Sequence, residues 1–406
     1  MSFTSSPLRR NRDLWIAVIA RAVSLLGDEA ALVALTLRLH DSGAGAWWIA
    51  ALFVSGMAPL VLLAPIAGAL VDRYDSRMLL GRSGVAQTAA CLVLVQVHSV
   101  PLVLGTVAVL GAGQAVNGAT WQALLPSIVG ADQLPAAMGM SQAVRTAAGI
   151  AAPAVGGALT GLYGARVPLL VDAATFVIVA LGGLVVRTRR HVAQTATPRE
   201  RRRGYTVVRD DPVIAALLTT LAVFIVLGAV VNVVDVYLVR DTLQSTATWY
   251  GVLGGTWGAG MLLGSLAGGR WTGQLALARV VLASTIALSL SMLGYTVAPG
   301  VAWLLPVAVV GGAANGLLNV GAGALVMMRA PEHARGRVSA AAGGVTSAAM
   351  IAAFVLGGVL AAFASPRQIF LIAGLLGMLA PLTLGRWLLG ACRSAGASTD
   401  RVLTSS

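Results

Sequence analysis

The chain has 406 residues, of which 57% are hydrophobic and 11% are charged, and its formal net charge is +13. Soluble domains carry about 25% charged residues, so this composition excludes an ordinary soluble enzyme, which needs far more charge to cover a surface that faces water. A helix that crosses a bilayer needs roughly 20 apolar residues, so the length suits about a dozen spans joined by short loops.

Long apolar runs predict twelve transmembrane helices in two groups of six, and therefore an all-α membrane protein. In chain order the predicted spans are 14–39, 46–71, 78–97, 101–125, 136–162, 166–186, 213–239, 248–269, 276–297, 300–328, 337–363 and 366–390. The first six form an N-terminal bundle, 14–186, and the last six form a C-terminal bundle, 213–390. Residues 1–13 and 391–406 are predicted to be tails in the cytoplasm.

Arginine predicts the orientation of these spans. All 28 basic residues are arginine, and eight of them lie in the polar stretch 187–212, the predicted linker between the bundles. Because basic residues concentrate in cytoplasmic loops, we place both termini and this linker inside. The predicted outer loops hold four arginines, Arg38, Arg166, Arg240 and Arg367. This asymmetry explains the positive net charge without a nucleic-acid partner.

The first span contains two adjacent acids, Asp28 and Glu29, near its middle. An ionised aspartate at a helix centre costs about 2.5–3.5 kcal/mol on insertion scales, so the neutral acid is favoured there. A carboxyl that takes up and releases a proton can couple proton entry to transport, which makes Asp28 the first coupling candidate and Glu29 the second. The alternative is a structural ion pair, with Arg21 on the same face or Arg145 in the fifth span as the charge partner.

The segment that ends the second span reads Gly68-Ala-Leu-Val-Asp72-Arg73-Tyr-Asp75-Ser-Arg77. Gly68 permits close helix approach, and Asp72 can accept hydrogen bonds from free amides at a helix N-terminus. The pattern resembles the signature loop between spans two and three of the major facilitator superfamily, although Asp75 stands where that family has glycine. The resemblance implies a cytoplasmic latch between the bundles, formed by Gly68, Asp72, Arg73 and Arg77, in which Asp72 caps the eleventh span. A charged inner loop without a latch is the other interpretation.

The fifth span contains Gly149-Ile-Ala-Ala152-Pro153-Ala-Val-Gly156-Gly157. Small residues at this spacing form a groove for close helix contact, and a proline permits a bend. The stretch is similar to the antiporter motif of the same superfamily, with Ala152 in place of the usual glycine. That motif is typical of exporters, so the resemblance implies efflux; general Gly/Pro helix packing is the alternative.

Polar and acidic residues in other spans are candidates for a solute path. The substrate-cavity candidates lie in the fourth and tenth spans and are Gln114, Asn117, Trp121, Asn315 and Asn319. Neutral polar groups among apolar neighbours suit an amphipathic solute, and hydrogen bonding between helices is the competing explanation. Asp235 and Asp172 lie nearer the predicted outer ends; Asp235 is kept as a third coupling candidate, whereas Asp172 is interpreted as an anchor.

The two halves also look repeated at an offset of roughly 200 residues. Gly111-Ala-Gly-Gln-Ala-Val-Asn117 in the fourth span is similar to Gly312-Ala-Ala-Asn315-Gly-Leu-Leu-Asn319 in the tenth. Parallel six-helix repeats with a binding site between them are one plan of secondary transporters.

Three further stretches are similar to one branch of the superfamily, the macrolide-efflux and enterobactin-exporter-like transporters. They are Arg21-Ala-Val-Ser-Leu-Leu-Gly27-Asp28, Tyr250-Gly251-Val-Leu-Gly254 and Arg335-Gly-Arg337. The resemblance implies the major facilitator fold, two pseudo-symmetric bundles that rock to give alternating access. It also implies proton-coupled antiport that exports a small hydrophobic or amphipathic compound, such as a drug, antibiotic or secondary metabolite.

The expected partners are this small-molecule substrate, the proton and the lipid bilayer, for a monomer in a bacterial cytoplasmic membrane. No cofactor is expected, and Cys91 and Cys392 have no spacing typical of a metal site. A siderophore exporter and a nutrient importer on the same fold are alternatives. A membrane sensor or membrane-embedded enzyme is a further alternative from another class.

Overall fold

The computed structural model describes residues 11–130, 133–186, 210–331 and 335–404, and no strand occurs among them. In the first half the helices are α1 (Arg12–Asp41), α2 (Ala46–Leu62), α3 (Ala64–Arg73), α4 (Ser76–Gln96), α5 (Val100–Val129), α6 (Leu134–Tyr163) and α7 (Arg166–Val185). In the second half they are α8 (Pro212–Tyr237), α9 (Ala247–Gly268), α10 (Gln274–Thr296), α11 (Val301–Arg329), α12 (Arg335–Leu360) and α13 (Pro366–Thr404). Most of the predicted linker lies outside the described residues, and helix α13 runs through the segment predicted as a C-terminal tail.

The second predicted span, 46–71, is broken into α2 and α3, which are bent by 48° relative to each other. The break falls at Leu63, between Pro59 and Pro65. A proline lacks the backbone N–H and its ring clashes with the carbonyl four residues earlier, so Pro65 interrupts the helix. The prediction of one continuous helix is therefore wrong here. The seventh span differs in a smaller way, since α8 continues as a π-helical turn, Leu238–Thr242.

Eight helices of the described part are long and apolar enough to cross a membrane: α4, α5, α7, α8, α10, α11, α12 and α13. The bent pair α2–α3 makes a ninth if it forms one broken span. Helix α1 is not in this set, and it carries Arg21, Asp28 and Glu29 in its middle. These helices support a multi-pass membrane protein, and they do not confirm the predicted number of twelve spans.

Tryptophans lie near the ends of the helices. Seven of the nine are exposed: Trp15, Trp47, Trp48, Trp249, Trp271, Trp303 and Trp387. All but Trp387 lie within a few residues of a helix end, and Trp387 lies near the predicted inner end of the twelfth span. The indole ring is amphipathic and is enriched where hydrocarbon meets water. The exposed tryptophans are therefore placed as in the aromatic belts of a membrane protein.

The helices group into two compact units with the same packing pattern. One unit contains the described residues within 1–195 together with Thr246–Gly255, and the other contains those within 196–245 and 256–406. In the first unit α1 packs on α6 and α7, α4 packs on α5 and α7, and α2 packs on α5. In the second unit α8 packs on α12 and α13, α10 packs on α11 and α13, and α9 packs on α11. The same pattern in both units is what an internal repeat predicts.

Gly111 and Gly312 form equivalent close helix contacts in the two units. A side chain at Gly111 would overlap the carbonyl oxygen of Gly56, and a side chain at Gly312 would overlap the carbonyl oxygen of Trp257. Both members of the first pair are 201 residues from their counterparts in the second. The similarity predicted between the fourth and tenth spans therefore corresponds to the same close helix contact in each unit.

Corresponding helix ends are also tied in the same way. Asn11 caps α1 and donates a hydrogen bond from Nδ2 to the carbonyl oxygen of Ile128, at 2.9 Å. In the second unit Asp211 caps α8 and accepts two hydrogen bonds from Arg329, at 3.0 and 2.7 Å. Each of these contacts joins the start of the first helix of a unit to the end of the helix that contains the repeated glycine.

Three of the four arginines in the predicted outer loops bind main-chain carbonyl oxygens, and two of them do so at the C-terminal end of a helix. Arg38 donates to the carbonyl oxygens of Leu94, at 2.7 Å, and Val97, at the end of α4. Arg367 donates to Ala298 at 2.9 Å, just after α10, and Arg240 donates to the carbonyl oxygen of Ser245. Basic side chains stabilise helix C-termini, where carbonyls lack partners. This structural role explains why Arg38 and Arg367 depart from the general distribution.

Candidate functional site

The predicted coupling acid Asp28 lies in the middle of α1 and contacts α5. Gln114 of α5 donates a hydrogen bond from Nε2 to Asp28 Oδ2. This contact follows from the packing of α1 against α5 in the first unit. Arg21, seven residues earlier on α1, is close enough to interact electrostatically with Asp28. The structure thus brings together an acid, an amide and a cation, each a candidate from the sequence.

The other predicted members of this group are placed differently. Glu29 is exposed on α1. Arg145 belongs to α6, but its side chain lies outside the described part of the structure. Both interpretations of Asp28, as a coupling acid and as a member of a structural ion pair, therefore stay predictions.

Asp172 of α7 forms a second polar contact beside Asp28. Its side chain is 1% exposed, and its Oδ2 accepts a hydrogen bond from Cys91 Sγ of α4 at 3.3 Å. Thr175 Oγ1 lies 3.2 Å from Asp172 Oδ1. A Cβ built on Gly27 would lie 2.5 Å from the same Oδ1. Asp172 is therefore enclosed where α1, α4 and α7 meet.

The other two candidates in α5 are buried among side chains of the first unit. Asn117 is 3% exposed; it donates to Gln87 Oε1 at 2.6 Å and accepts a hydrogen bond from Ser83. Trp121 is 7% exposed and packs in an apolar cluster with Leu14. These contacts fit the competing explanation, hydrogen bonding and packing between helices, better than a position that faces a solute.

The second unit holds the remaining candidates. Asn319 is exposed and donates from Nδ2 to Asn315 Oδ1 at 2.7 Å, so the two amides share one face of α11. Asp235 lies in α8, just before the π-helical turn Leu238–Thr242, and its buried Oδ1 has no hydrogen-bond partner among the described residues. π-Helical turns occur frequently at functional sites. Asp235 therefore keeps its place among the coupling candidates.

The small residues of α6 form close contacts with two helices within the first unit. A Cβ at Gly156 would lie 2.7 Å from the Cα of Ala30 in α1. A Cβ at Gly157 would overlap the backbone of Gly251 in the first turns of α9. At Gly149, in contrast, a Cβ would meet nothing within 4 Å. The groove expected from the sequence is thus present around Gly156 and Gly157 and does not extend to Gly149.

Pro153 belongs to the same contact with α9. Helix α6 continues through Pro153 without a break, so this proline does not interrupt the helix. A Cβ at Gly254 would lie 2.7 Å from Pro153 Cβ, and one at Gly255 would lie 2.6 Å from Ala154 Cβ. Glycines on α9 thus face the proline and alanine of α6, as close helix packing requires.

The predicted latch segment is only partly as expected. A Cβ at Gly68 would meet nothing within 4 Å, so the close helix approach expected there is absent among the described residues. Asp75 caps α4 by accepting a hydrogen bond from the Arg77 amide at 2.8 Å, which gives an aspartate a role at the position where the family has glycine. The capping of the eleventh span by Asp72 stays a prediction, as do the anchoring roles of Arg73 and Arg77.

Comparison with known proteins identifies relatives over most of the chain. The sequence matches the family described as "Transmembrane secretion effector" over residues 2–401. The uncharacterized MFS-type transporter YfiS of Bacillus subtilis is 24% identical over 397 residues, which cover 93% of this chain and 94% of that protein. Macrolide efflux protein A of Streptococcus pyogenes is 24% identical over 256 residues, which cover 61% of this chain and 63% of that protein.

Solved structures share the architecture at low sequence identity. The nucleoside transporter NupG has a TM-score of 0.76 at 12% identity, with 93% of this chain and 99% of that chain covered. A bacterial homologue of the iron transporter ferroportin, solved in an inward-facing state, has a TM-score of 0.71 at 18% identity, with 95% and 100% covered. At such identities the likeness concerns the fold alone, because one fold serves many substrates.

Asp172 is the residue of this site that the sequence interpretation set aside. The ionisable side chain of Asp172 is the feature that could have identified it from the sequence. An ionisable residue within a transmembrane helix is a functional candidate by default. Its predicted closeness to the outer end of a span led to its interpretation as an anchor. Its contact with Cys91 and with the backbone at Gly27 depends on how three helices pack, which the spacing of residues in one helix does not give.

Proposed function

The chain belongs to the transmembrane secretion effector family of the major facilitator superfamily, and from this premise we propose that it exports a small compound in exchange for protons. Family membership and the MFS-type relatives make it a multi-pass membrane transporter. The family description names secretion, and one relative is named for macrolide efflux. These names support export as the direction of transport.

One observation carries the coupling part of the proposal: Asp28 lies at mid-helix in α1 and accepts a hydrogen bond from Gln114 of α5. A carboxyl in hydrocarbon is costly when ionised, so its charge state responds to whether water reaches it. Gln114 can donate to the ionised carboxylate and to the carbonyl oxygen of the neutral acid. Asp28 is therefore suited to take up a proton on one side of the membrane and release it on the other.

The proposed substrate is hydrophobic or amphipathic, such as a drug, an antibiotic or a secondary metabolite. The neutral polar side chains Gln114, Asn315 and Asn319 lie on helices that are largely apolar, and sites of this kind suit solutes with few polar groups. The relative named for macrolide efflux supports a macrolide as the first compound to test.

The remaining parts of the proposal concern location and gating. We place the protein in a bacterial cytoplasmic membrane with both termini inside, because arginine is concentrated in the loops on that side. The bundles are proposed to extend over 14–186 and 213–390, with 187–212 as a cytoplasmic linker. Asp72, Arg73 and Arg77 are proposed to act at the cytoplasmic side, as in the family motif that they resemble.

Transport into liposomes tests the exchange of substrate for protons. Liposomes that contain the protein and have an acidic lumen should accumulate radiolabelled erythromycin, a macrolide, and ethidium, a permanent cation, while the lumen becomes more alkaline. Liposomes without protein report passive trapping of erythromycin, a weak base, and an ionophore that collapses the gradient should abolish the accumulation. Accumulation that requires an acidic exterior would indicate symport and overturn the antiport mechanism. No gradient-dependent transport of either compound would contradict the proposed substrate class.

A further inference from the structure

Asp172 is a buried acid that the proposed function does not use. It lies in α7, and α1, α4 and α6 pack against this helix. On the α1 side it faces Gly27, the neighbour of Asp28 in sequence, where a Cβ would lie 2.5 Å from Asp172 Oδ1. Glycine at position 27 therefore leaves the space that the Asp172 carboxyl occupies beside Asp28.

The surroundings of the Asp172 carboxyl fit a group that is protonated in one state and ionised in another. The Thr175 hydroxyl has one hydrogen, which it donates to the Asp172 main-chain oxygen at 2.7 Å. Its oxygen lies 3.2 Å from Asp172 Oδ1, where it can accept a hydrogen bond from a protonated carboxyl. When the carboxyl ionises, the same hydroxyl can turn and donate to Oδ1 instead. The Cys91 thiol donates to Oδ2 at 3.3 Å.

The charged groups around Asp172 favour one proton for two acids. From α1, Asp28 interacts electrostatically with Asp172, and Arg21 and Glu29 interact with Asp28. From α4 the titratable neighbour is Cys91. The side chain of Arg145 in α6 lies outside the described part of the structure. No arginine pairs with Asp172 among the described side chains. Two ionised carboxylates so close together repel each other, and a single proton relieves that repulsion.

An apolar cluster keeps water away from this carboxyl. Cys91, Ala173 and Phe176 are buried together, with Leu110 packed against them. Asp172 itself is 1% exposed, whereas Asp28 is only half-buried. Of the two acids, Asp28 is therefore the more accessible to water.

We propose that Asp28 and Asp172 form an acid pair that shares one exchangeable proton, and that Thr175 and Cys91 position Asp172 in both protonation states. When the proton moves inward, an O–H bond breaks at Asp28 and one forms at Asp172 Oδ1, so the total charge of the pair is unchanged. The charge falls by one when Asp28 releases the proton to water. This inference rests on the proposed function, since it names a second residue of the coupling step.

Infrared difference spectra between alkaline and acidic pH, recorded on the whole protein in liposomes, test the pair without any substrate. Asp172→Asn should remove one band of a protonated carboxyl and should also change the band that Asp28→Asn removes, because the two acids share the proton. A spectrum of Asp172→Asn that keeps every carboxyl band of the wild type would overturn the inference.

Thr175 provides a matched pair of variants that retain both acids. Thr175→Val keeps the shape of the side chain and removes its oxygen, so the carboxyl band of Asp172 should shift to higher frequency as its hydrogen bond is lost. Thr175→Ser keeps the hydroxyl and should restore the wild-type position. If Asp172→Asn fails to fold, this comparison still decides, because an unchanged band in Thr175→Val contradicts the positioning role.

Transport distinguishes failure of the pair from failure of the proposed function. If wild-type protein exchanges erythromycin for protons, Asp172→Asn should lose the pH-driven accumulation and retain exchange of labelled for unlabelled erythromycin without a gradient. Wild-type accumulation in Asp172→Asn would reject Asp172 while the proposed function stands. If the wild type shows no proton-driven transport, the proposed function fails, whatever the infrared spectra show for the two acids.

Discussion

Replacing Asp28 with asparagine should reduce pH-driven accumulation of erythromycin to the level of liposomes without protein. Asparagine has nearly the same shape as a protonated aspartate, and its oxygen can still accept the hydrogen bond from Gln114. It cannot release a proton, so the variant is held in a state that resembles the protonated one. Exchange of labelled for unlabelled erythromycin without a pH gradient should therefore continue, because that exchange needs no net proton movement.

Asp41→Asn is the matched control for this substitution. Asp41 is the last residue of the same helix and is exposed, so the same chemical change there removes a charge outside the candidate site. We expect Asp41→Asn to accumulate erythromycin like the wild type. Unimpaired pH-driven accumulation by Asp28→Asn would remove Asp28 from the coupling step, and loss of the gradient-free exchange as well would point to damaged folding or substrate binding.

Gly157→Ala should destabilise the protein strongly although it adds one methyl group. That group would overlap the backbone of Gly251, so α6 and α9 would have to move apart. Overpacked sites typically lose about 1–3 kcal/mol, and contact with backbone rather than with a flexible side chain places this variant at the upper end. A lower midpoint of thermal unfolding in detergent, together with slower transport, is the expected result.

Gly149→Ala is the control for Gly157→Ala in the same helix. A Cβ at Gly149 meets nothing within 4 Å, and alanine is favoured over glycine inside a helix by about 0.5–1 kcal/mol. The unfolding midpoint of Gly149→Ala should therefore equal or exceed that of the wild type. If the two variants had the same stability, the close contact between α6 and α9 would be contradicted.

The helices were largely predictable from the sequence because apolar runs and arginine-rich loops are local features. The break at Leu63 was missed although Pro59 and Pro65 were visible, since a proline near a helix end and a proline that breaks a helix look alike in sequence. The repeat between Gly111 and Gly312 was predicted from similarity alone, and the structure adds its physical reason, a close helix contact in each unit.

The sequence predicted which residues belong to the candidate site better than it predicted which of them contact each other. Asp28 and Gln114 were both singled out, but their hydrogen bond depends on which faces of α1 and α5 meet. Asn117 was chosen with the same reasoning as Gln114 and instead lies buried against Gln87. These two amides are three residues apart on one helix, so their spacing does not distinguish them. The packing of neighbouring helices determines that Gln114 contacts Asp28 and that Asn117 contacts Gln87.

Proton release on substrate binding tests proton-coupled export most directly. Erythromycin added to wild-type protein in detergent and weak buffer, at a pH where Asp28 is protonated, should release protons in proportion to the protein present. Asp28→Asn should bind erythromycin and release none. Saturable binding to the wild type without proton release at any pH would contradict the exchange of substrate for protons.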